Sequence, residues 1–236
     1  MRPVGRAEEL VVECVGVTRR YVIGGRGSQG SEVVALRDVD LEVPTGMLVA
    51  LAGPSGSGKS TLLALLGALD RPTSGQVRVA GTDVVALGRR ERRAFRRRQA
   101  VSMLPLPADN LLLDLTGREN VVAAAHHRGL VGDLGARADE VLTAMQLDSY
   151  ADRSCALMSG GEQQRIALAA CLIGSSAVVL ADEPTGALDR AGAATVAGSL
   201  RTAVEQGASI VVATHDPNIE AVADMVVRLD HGRRVL

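Results

Sequence analysis

Residues 53–60 (GPSGSGKS) have the residue types and the spacing that bind a chain of phosphates. Glycines let backbone N–H groups wrap around phosphate oxygens, Lys59 reaches the outer phosphates, and the Ser60 hydroxyl is placed to ligate Mg²⁺. Lys59 is also the one lysine among 26 basic residues, and its compact ammonium suits a loop where a planar guanidinium would not fit. We predict a nucleoside triphosphate site made of Gly53, Ser55, Gly56, Ser57, Gly58, Lys59, Ser60 and Thr61.

Two carboxylates follow the apolar run at residues 178–181. If that run is a parallel strand, Asp182 and Glu183 lie at its carboxyl end, where ligands bind in open α/β sheets. Asp182 would hold Mg²⁺ through water, and Glu183 would polarise the attacking water as a general base. On these two residues alone, a solvated acidic turn is an equally good interpretation.

His215 follows a second apolar run, at residues 209–213. We expect it at the same sheet edge as Glu183, because the carboxyl ends of parallel strands share one edge. There a neutral imidazole bonds the γ-phosphate and orients the water. A lone loop histidine is more often an ordinary surface residue, so the catalytic role depends on the neighbouring motifs.

Strands and helices that alternate along the chain must position these side chains. Apolar runs at residues 47–52, 177–181 and 209–213 predict buried strands. Residues 61–69 and 191–206 are helix-compatible. This order predicts a parallel sheet with helices on both faces.

Two further regions differ from this pattern. Apolar runs at residues 10–17 and from Val33 onward flank a glycine-rich turn at residues 24–30, which predicts an N-terminal pair of hairpin strands. Residues 88–157 show no comparable strand and carry leucines, alanines and valines at helical spacing. We interpret that region as a helical insertion.

The composition is that of an ordinary globular domain. Apolar residues make up 47% and charged residues 22%, with a net charge of −1, so no bulk charge favours nucleic acid or anionic lipid. The longest uncharged stretch, residues 166–181, is shorter than the roughly 18 to 20 residues that a membrane span needs. Without an apolar signal segment near the start, we expect a cytosolic chain. Three widely spaced cysteines predict free thiols and no zinc.

Residues 158–165 (MSGGEQQR) resemble the signature motif of ABC ATPases. The family's other motifs follow in order: Walker A at residues 53–60, Walker B at 178–183, the D-loop at 187–189 and the switch histidine His215. Residues 35–46, 69–84 and 115–121 are similar to ATP-binding subunits of bacterial exporters of the macrolide-efflux and lipoprotein-releasing type. The residues assigned by this resemblance are Ser159, Gly160, Gly161 and Glu162 of the signature and Asp189 of the D-loop.

The resemblance implies an α/β fold of the P-loop NTPase (RecA-like) class. Its mostly parallel sheet carries an N-terminal antiparallel β subdomain and an inserted helical subdomain. We expect a single ABC ATPase domain over residues 1–236, with a core at 1–88 and 164–236 and the helical insertion at about 89–163. Tyr21 falls where the family places an aromatic that stacks on adenine; the alternative is a strand tyrosine packed on the core.

In this family two subunits pair head to tail, so ATP on one Walker A is capped by the signature of the other. The implied function is an ATPase, with ATP and Mg²⁺, that powers a transmembrane permease on a separate chain from the inner face of the cell membrane. A regulatory subunit with weak or no hydrolysis is the alternative. A soluble ABC ATPase of translation or DNA repair is a third, for which we would expect paired cassettes or a long coiled coil.

Some residues depart from the family pattern. Pro107 stands where the family has a glutamine that touches Mg²⁺, and Asp109 is the nearest polar substitute. Ala170 and Ala187 replace a usual arginine and asparagine. Seven arginines at residues 89–98 suggest either a solvated helix at the membrane boundary or, less well, a nucleic-acid patch, because only Phe95 is available to stack on a base. No nucleic-acid partner is expected.

Overall fold

A computed structural model describes residues 9–23, 31–174 and 176–235. The strands are β1 (Leu10–Ile23), β2 (Ser31–Pro44), β3 (Leu48–Ala52), β4 (Ser74–Val79), β5 (Thr82–Asp83), β6 (Ala100–Met103), β7 (Val178–Asp182), β8 (Ile210–Thr214), β9 (Met225–Asp230) and β10 (Arg233–Val235). The α-helices are α1 (Lys59–Leu66), α2 (Arg89–Arg98), α3 (Gly117–Arg128), α4 (Leu134–Ala144), α5 (Gly160–Leu172), α6 (Arg190–Glu205) and α7 (Pro217–Val222).

A six-stranded sheet in the order β10-β9-β3-β8-β7-β6 carries the predicted buried strands. Its neighbours from β9 to β6 pair in parallel, and only β10 is antiparallel. Every residue of β3 and of β8 is buried, because helices cover both faces of the sheet and leave no solvent side for polar residues. The predicted α/β architecture is confirmed.

Alternate residues of β3 belong to two different hydrophobic cores. Leu48 and Ala50 pack with α5 and α6 on one face of the sheet. Val49 and Leu51 pack with α1 and the β1–β2 region on the other. The strand is therefore held between two layers, which fixes the position of the loop that follows it.

The second sheet, in the order β2-β1-β4-β5, is antiparallel. It confirms the predicted pair of N-terminal strands, since β1 and β2 pair along most of their length, from Leu10 opposite Pro44 to Ile23 opposite Ser31. The glycine-rich turn predicted at residues 24–30 lies outside the described residues.

The expectation that residues 88–157 hold no strand was wrong. Residues Ala100–Met103 form β6, which pairs in parallel with β7 at the edge of the central sheet. The strand has four residues, and only its first and last are buried, so it lacks the continuous apolar run that marks the central strands. The rest of the region is mainly helical, with α3 and α4 packed on α5.

None of the described helices is both long and apolar enough to cross a membrane.

Truncating a core side chain tests the two-layer arrangement. Leu168 on α5 is fully buried, so Leu168→Ala should lower the free energy of unfolding by about 2–5 kcal/mol through lost apolar contact and a new cavity. The matched control is Leu112→Ala, since Leu112 is 60% exposed and should change stability little. Urea unfolding followed by circular dichroism measures both, and equal losses would contradict the arrangement.

Candidate nucleotide site

The loop between β3 and α1 depends on glycines whose side-chain positions are already filled. Gly53 has φ +146°, and a Cβ there would lie 2.1 Å from the backbone oxygen of Leu229 on β9. Gly58, the residue before α1, has φ +104°, and its Cβ would lie 2.6 Å from the oxygen of Ala35. Backbone atoms of β9 and β2 therefore lie so close to the loop that only glycine fits at these two positions.

Lys59 curls back over this loop. Its Nζ donates hydrogen bonds to the backbone oxygens of Gly53 at 2.8 Å and Pro54 at 3.1 Å, and the residue is 6% exposed. The same Nζ lies 3.8 Å from Glu183 Oε1. The ammonium is thus fixed above the loop, in the space where the outer phosphates of a nucleotide would be neutralised.

Ser60 and Asp182 come from different elements and meet at the sheet edge. The Ser60 hydroxyl donates to Asp182 Oδ1 at 3.0 Å. Burial raises the pKa of Asp182 and the nearby Glu183 charge adds to this, outweighing the opposing effects of the Ser60 hydroxyl and Lys59. A hydroxyl and a carboxylate are oxygen ligands of the kind that Mg²⁺ takes together with phosphate oxygens and water, so these two residues fit the predicted metal.

Glu183 presents a carboxylate oxygen that has no donor. His215 Nδ1 lies 2.9 Å from Glu183 Oε2, but the pair lacks hydrogen-bond geometry, and Oε2 is buried without a hydrogen-bond partner among the described residues. Glu183 also has φ +44°, a conformation that costs a non-glycine residue about 1–3 kcal/mol. The prediction that Glu183 and His215 share one edge is confirmed.

These groups line one cavity of about 670 Å³. Two predicted site residues lie under the lining: the Ser57 hydroxyl is buried and has no hydrogen-bond partner in the part of the chain that the structure describes, and Gly53 packs on β9. Asp182 reaches the site through Ser60. The predicted residues that line the cavity are Ser55, Gly56, Gly58, Lys59, Ser60, Thr61, Glu183 and His215.

The signature residues do not line this cavity. Ser159 precedes α5 and forms a capping box with Glu162, in which Ser159 N donates to Glu162 Oε2 at 2.7 Å and Glu162 N donates to Ser159 Oγ at 3.3 Å. Hydrogen bonding from the Ser159 amide holds the pKa of Glu162 below its usual value. Ser159 and Gly160 are exposed and Gly161 partly so, leaving a helix N-terminus, which attracts anions, open to solvent.

Asp189 and Tyr21 are also engaged elsewhere. Asp189 caps α6 by accepting from the backbone N–H of Gly192 at 2.8 Å. Tyr21 does not line the phosphate cavity; its hydroxyl donates to Asp70, and the guanidinium of Arg19 covers its ring. The adenine contact of Tyr21 and the D-loop role of Asp189 stay predictions.

The segment that should carry the missing glutamine does not line the phosphate cavity. Pro107 starts a 3₁₀ turn, Pro107–Asp109, and Asp109 lines a different groove, so the proposed substitution by Asp109 is not supported. Gln164 on α5, a residue the sequence analysis did not single out, donates to the backbone oxygen of Pro105 at 2.7 Å and ties this segment down. Its place in the QQR triplet beside the signature was the available signal.

Known proteins with similar sequences agree with this geometry. The family model described as ABC transporter matches residues 36–186. Over 233 residues the chain is 36% identical to the lipoprotein-releasing system ATP-binding protein LolD of Chromohalobacter salexigens, covering 98% of this chain and 95% of that protein. It is 39% identical over 226 residues to the macrolide export ATP-binding/permease protein MacB of Marinobacter nauticus, covering 95% of this chain but 34% of that protein.

Solved structures agree with the fold. A dimeric, post-hydrolysis structure of the ATP-binding cassette MJ0796, bound to ADP and Pi, superposes with a TM-score of 0.79 at 32% identity and covers 95% of this chain and 97% of the other. The chain thus spans nearly all of LolD and of that cassette, but about a third of MacB.

Filling the space at Gly53 tests the shape of the loop. Gly53→Ala should abolish nucleotide binding, because the new methyl group collides with the Leu229 carbonyl and displaces the loop. Gly81→Ala is the matched control: Gly81 also has positive φ, +70°, but nothing lies within 4 Å of its Cβ position. Gly81→Ala should lose about 1–2 kcal/mol of stability from backbone strain, and Gly53→Ala should lose more because its methyl group also collides with backbone. Titration calorimetry with MgATP should separate them, and wild-type binding by Gly53→Ala would contradict the packing.

Proposed function

This chain belongs to the ABC transporter family, and on that premise we propose that it binds and hydrolyses ATP to power export or extraction by a transmembrane permease on a separate chain. The observation that carries the hydrolytic part is the Glu183 carboxylate, which lines the cavity. Its Oε1 lies 3.8 Å from Lys59 Nζ, and its Oε2 is buried without a hydrogen-bond partner among the described residues. A site that only bound nucleotide would gain nothing from a buried carboxylate oxygen without a hydrogen-bond donor. Such an oxygen lowers the stability of the fold.

The residues act as follows. Backbone N–H groups of residues 53–60 and the Lys59 ammonium hold the phosphates. Ser60 and Asp182 hold Mg²⁺, which supplies charge neutralisation on the phosphate oxygens. Glu183 accepts the proton of the attacking water, and His215, 2.9 Å away, orients the γ-phosphate and the water relative to it.

We propose a head-to-tail pair of subunits as the working unit. The open N-terminus of α5, with Ser159 and the two glycines after it, lies outside the cavity of its own chain. Its N–H groups would donate hydrogen bonds to the γ-phosphate of a nucleotide held by a second copy. Asp189 would lie beside the interface between the two copies. The solved MJ0796 cassettes are dimeric, which supports the same arrangement here.

We also propose how the chain is divided into a core and an insertion. We take residues 1–236 as one ATPase domain, with the core at 1–88 and 164–236 and the insertion at about 89–163. Within the insertion, β6 pairs with the core strand β7, so the first part of that segment is tied to the core sheet.

A groove of about 910 Å³ beside α2 supports docking to a membrane partner. Arg93, Arg96 and Arg97 line it from α2, while Asp109 is the one carboxylate among its lining residues. Arg128 lines it from α3, but this residue is 5% exposed and its guanidinium donates to the backbone oxygens of Ile173 and Cys171, so the three arginines of α2 carry the charge offered to a partner. Among the described residues, no carboxylate pairs with these four arginines. Such a groove fits an acidic segment of the permease by charge complementarity.

The same helix argues against nucleic acid. Phe95, the one aromatic of α2, is 6% exposed and packs in the core, so it offers no stacking platform for a base. We propose that α2 faces the inner surface of the membrane, with the chain peripheral on the cytoplasmic side.

Replacing the proposed base separates hydrolysis from regulation. Glu183→Gln should lower the ATPase rate of the chain with its permease by at least about a hundredfold, while MgATP still binds, because the amide cannot take the proton. Glu140→Gln, on the exposed side of α4, is the control. If the wild type shows no activity above Glu183→Gln, the regulatory alternative, which Pro107 favours, is correct.

Charge reversal tests the groove. Arg93→Glu with Arg97→Glu should abolish co-purification with the permease subunit, because like charges would face each other. The control pair, Arg89→Glu with Arg90→Glu, lies on the same helix but outside the groove and makes the same change in net charge. Equal loss in both pairs, or in neither, would contradict docking in the groove.

A further inference from the structure

Asp70 collects three donors from two different parts of the chain. The Arg19 Nε donates to Asp70 Oδ2 at 2.8 Å, and the Tyr21 hydroxyl donates to the same oxygen at 2.9 Å. The backbone N–H of Arg71 donates to Oδ1 at 2.7 Å. Burial alone would raise the pKa of Asp70, but these hydrogen bonds and the Arg19 charge outweigh it and hold the pKa below its usual value.

Arg19 and Tyr21 also contact each other. They are two residues apart on β1, so both side chains lie on the same side of the strand. The centre of the Arg19 guanidinium lies 4.3 Å from the centroid of the Tyr21 ring, a cation–π contact. One face of the ring is therefore covered and its hydroxyl is anchored, which fixes the orientation of Tyr21.

The cluster joins β1 to the segment just after α1, the helix that follows the phosphate loop. Tyr21 pairs with Val33 and Arg19 with Leu36, so the strand partner segment includes Ala35, which lines the phosphate cavity. Asp70 follows shortly after α1, the helix that starts at Lys59. The held ring thus lies on β1 opposite Val33, two residues along β2 from Ala35 in the cavity lining.

We infer that Arg19 and Asp70 are positioning residues that clamp Tyr21 in the orientation in which it receives the purine base of the nucleotide. This inference rests on the proposed function, because it requires a nucleotide at the phosphate loop. An aromatic side chain that is ordered before binding loses less rotamer freedom when the base stacks on it. With Arg19 on one face, the base takes the other.

A comparison of two ligands tests the clamp. MgATP contains the base, whereas magnesium tripolyphosphate offers only the phosphates. By calorimetry, Arg19→Gln and Asp70→Asn should each bind MgATP about fivefold to tenfold more weakly, from the entropy of ordering one free side chain, and should bind tripolyphosphate as the wild type does. A residue with a merely structural role would change both affinities or neither.

Arg20→Gln is the matched control. Arg20 lies between Arg19 and Tyr21 and pairs with Glu32 at 3.3 Å at the exposed surface, so its loss should change neither affinity. Tyr21→Phe keeps the ring and removes the hydroxyl donor. Adding Asp70→Asn to Tyr21→Phe should cost less than it does in the wild type, because that hydrogen bond is already absent.

Three results would overturn the inference or its premise. Wild-type MgATP affinity in Arg19→Gln and Asp70→Asn, with weaker binding in Tyr21→Ala, would show that Tyr21 acts without the clamp. Unchanged affinity in Tyr21→Ala would show that no base stacks there. A wild type that binds neither MgATP nor tripolyphosphate would instead overturn the proposed function.

Discussion

The parallel register of β3, β7 and β8 is the constraint on which the site depends. Ala52 pairs with Thr214, and Asp182 pairs with Ala213, so all three strands end at the same level of one sheet edge. The side chains that follow them therefore meet, although Lys59, Glu183 and His215 are more than 150 residues apart at the extremes. Burial of β3 and β8 on both faces holds that register, because a slip of one residue would move each side chain into the opposite hydrophobic core, where it does not match the packing.

The residues at this sheet edge are strained as well as aligned. The glycine loop is pressed by the backbone of Leu229 and Ala35, and Glu183 holds a left-handed backbone conformation. Its Oε2 is buried beside His215 without a hydrogen-bond partner among the described residues, and its Oε1 lies 3.8 Å from Lys59 Nζ. Such arrangements persist only where the surrounding packing is stronger than their cost, and here two hydrophobic cores enclose the strands that lead into them.

Three other surfaces of the molecule bear on the proposed function. The signature helix α5 offers its N-terminus away from its own cavity, the arginines of α2 line a groove free of paired carboxylates among the described residues, and the β1–β2 hairpin holds Tyr21. The first two surfaces are those that the proposed second copy and membrane partner would cover. This pattern accounts for why the proposed activity requires a second copy and a membrane partner.

The sequence by itself determined the features that depend on local order. Continuous apolar runs marked the central strands, glycine spacing with Lys59 and Ser60 marked the phosphate loop, and the motif order marked the family. β6 was missed because a strand of four residues, buried only at its two ends, carries no periodic signal. The surroundings of Asp109 and Gln164 were missed because they depend on distant segments. Tertiary structure alone decided that the Glu183 oxygen lacks a donor, that Asp70 gathers Arg19 and Tyr21, and that four arginines share a groove. The physical reason is that hydrogen bonds and packing between remote elements have no counterpart in residue spacing.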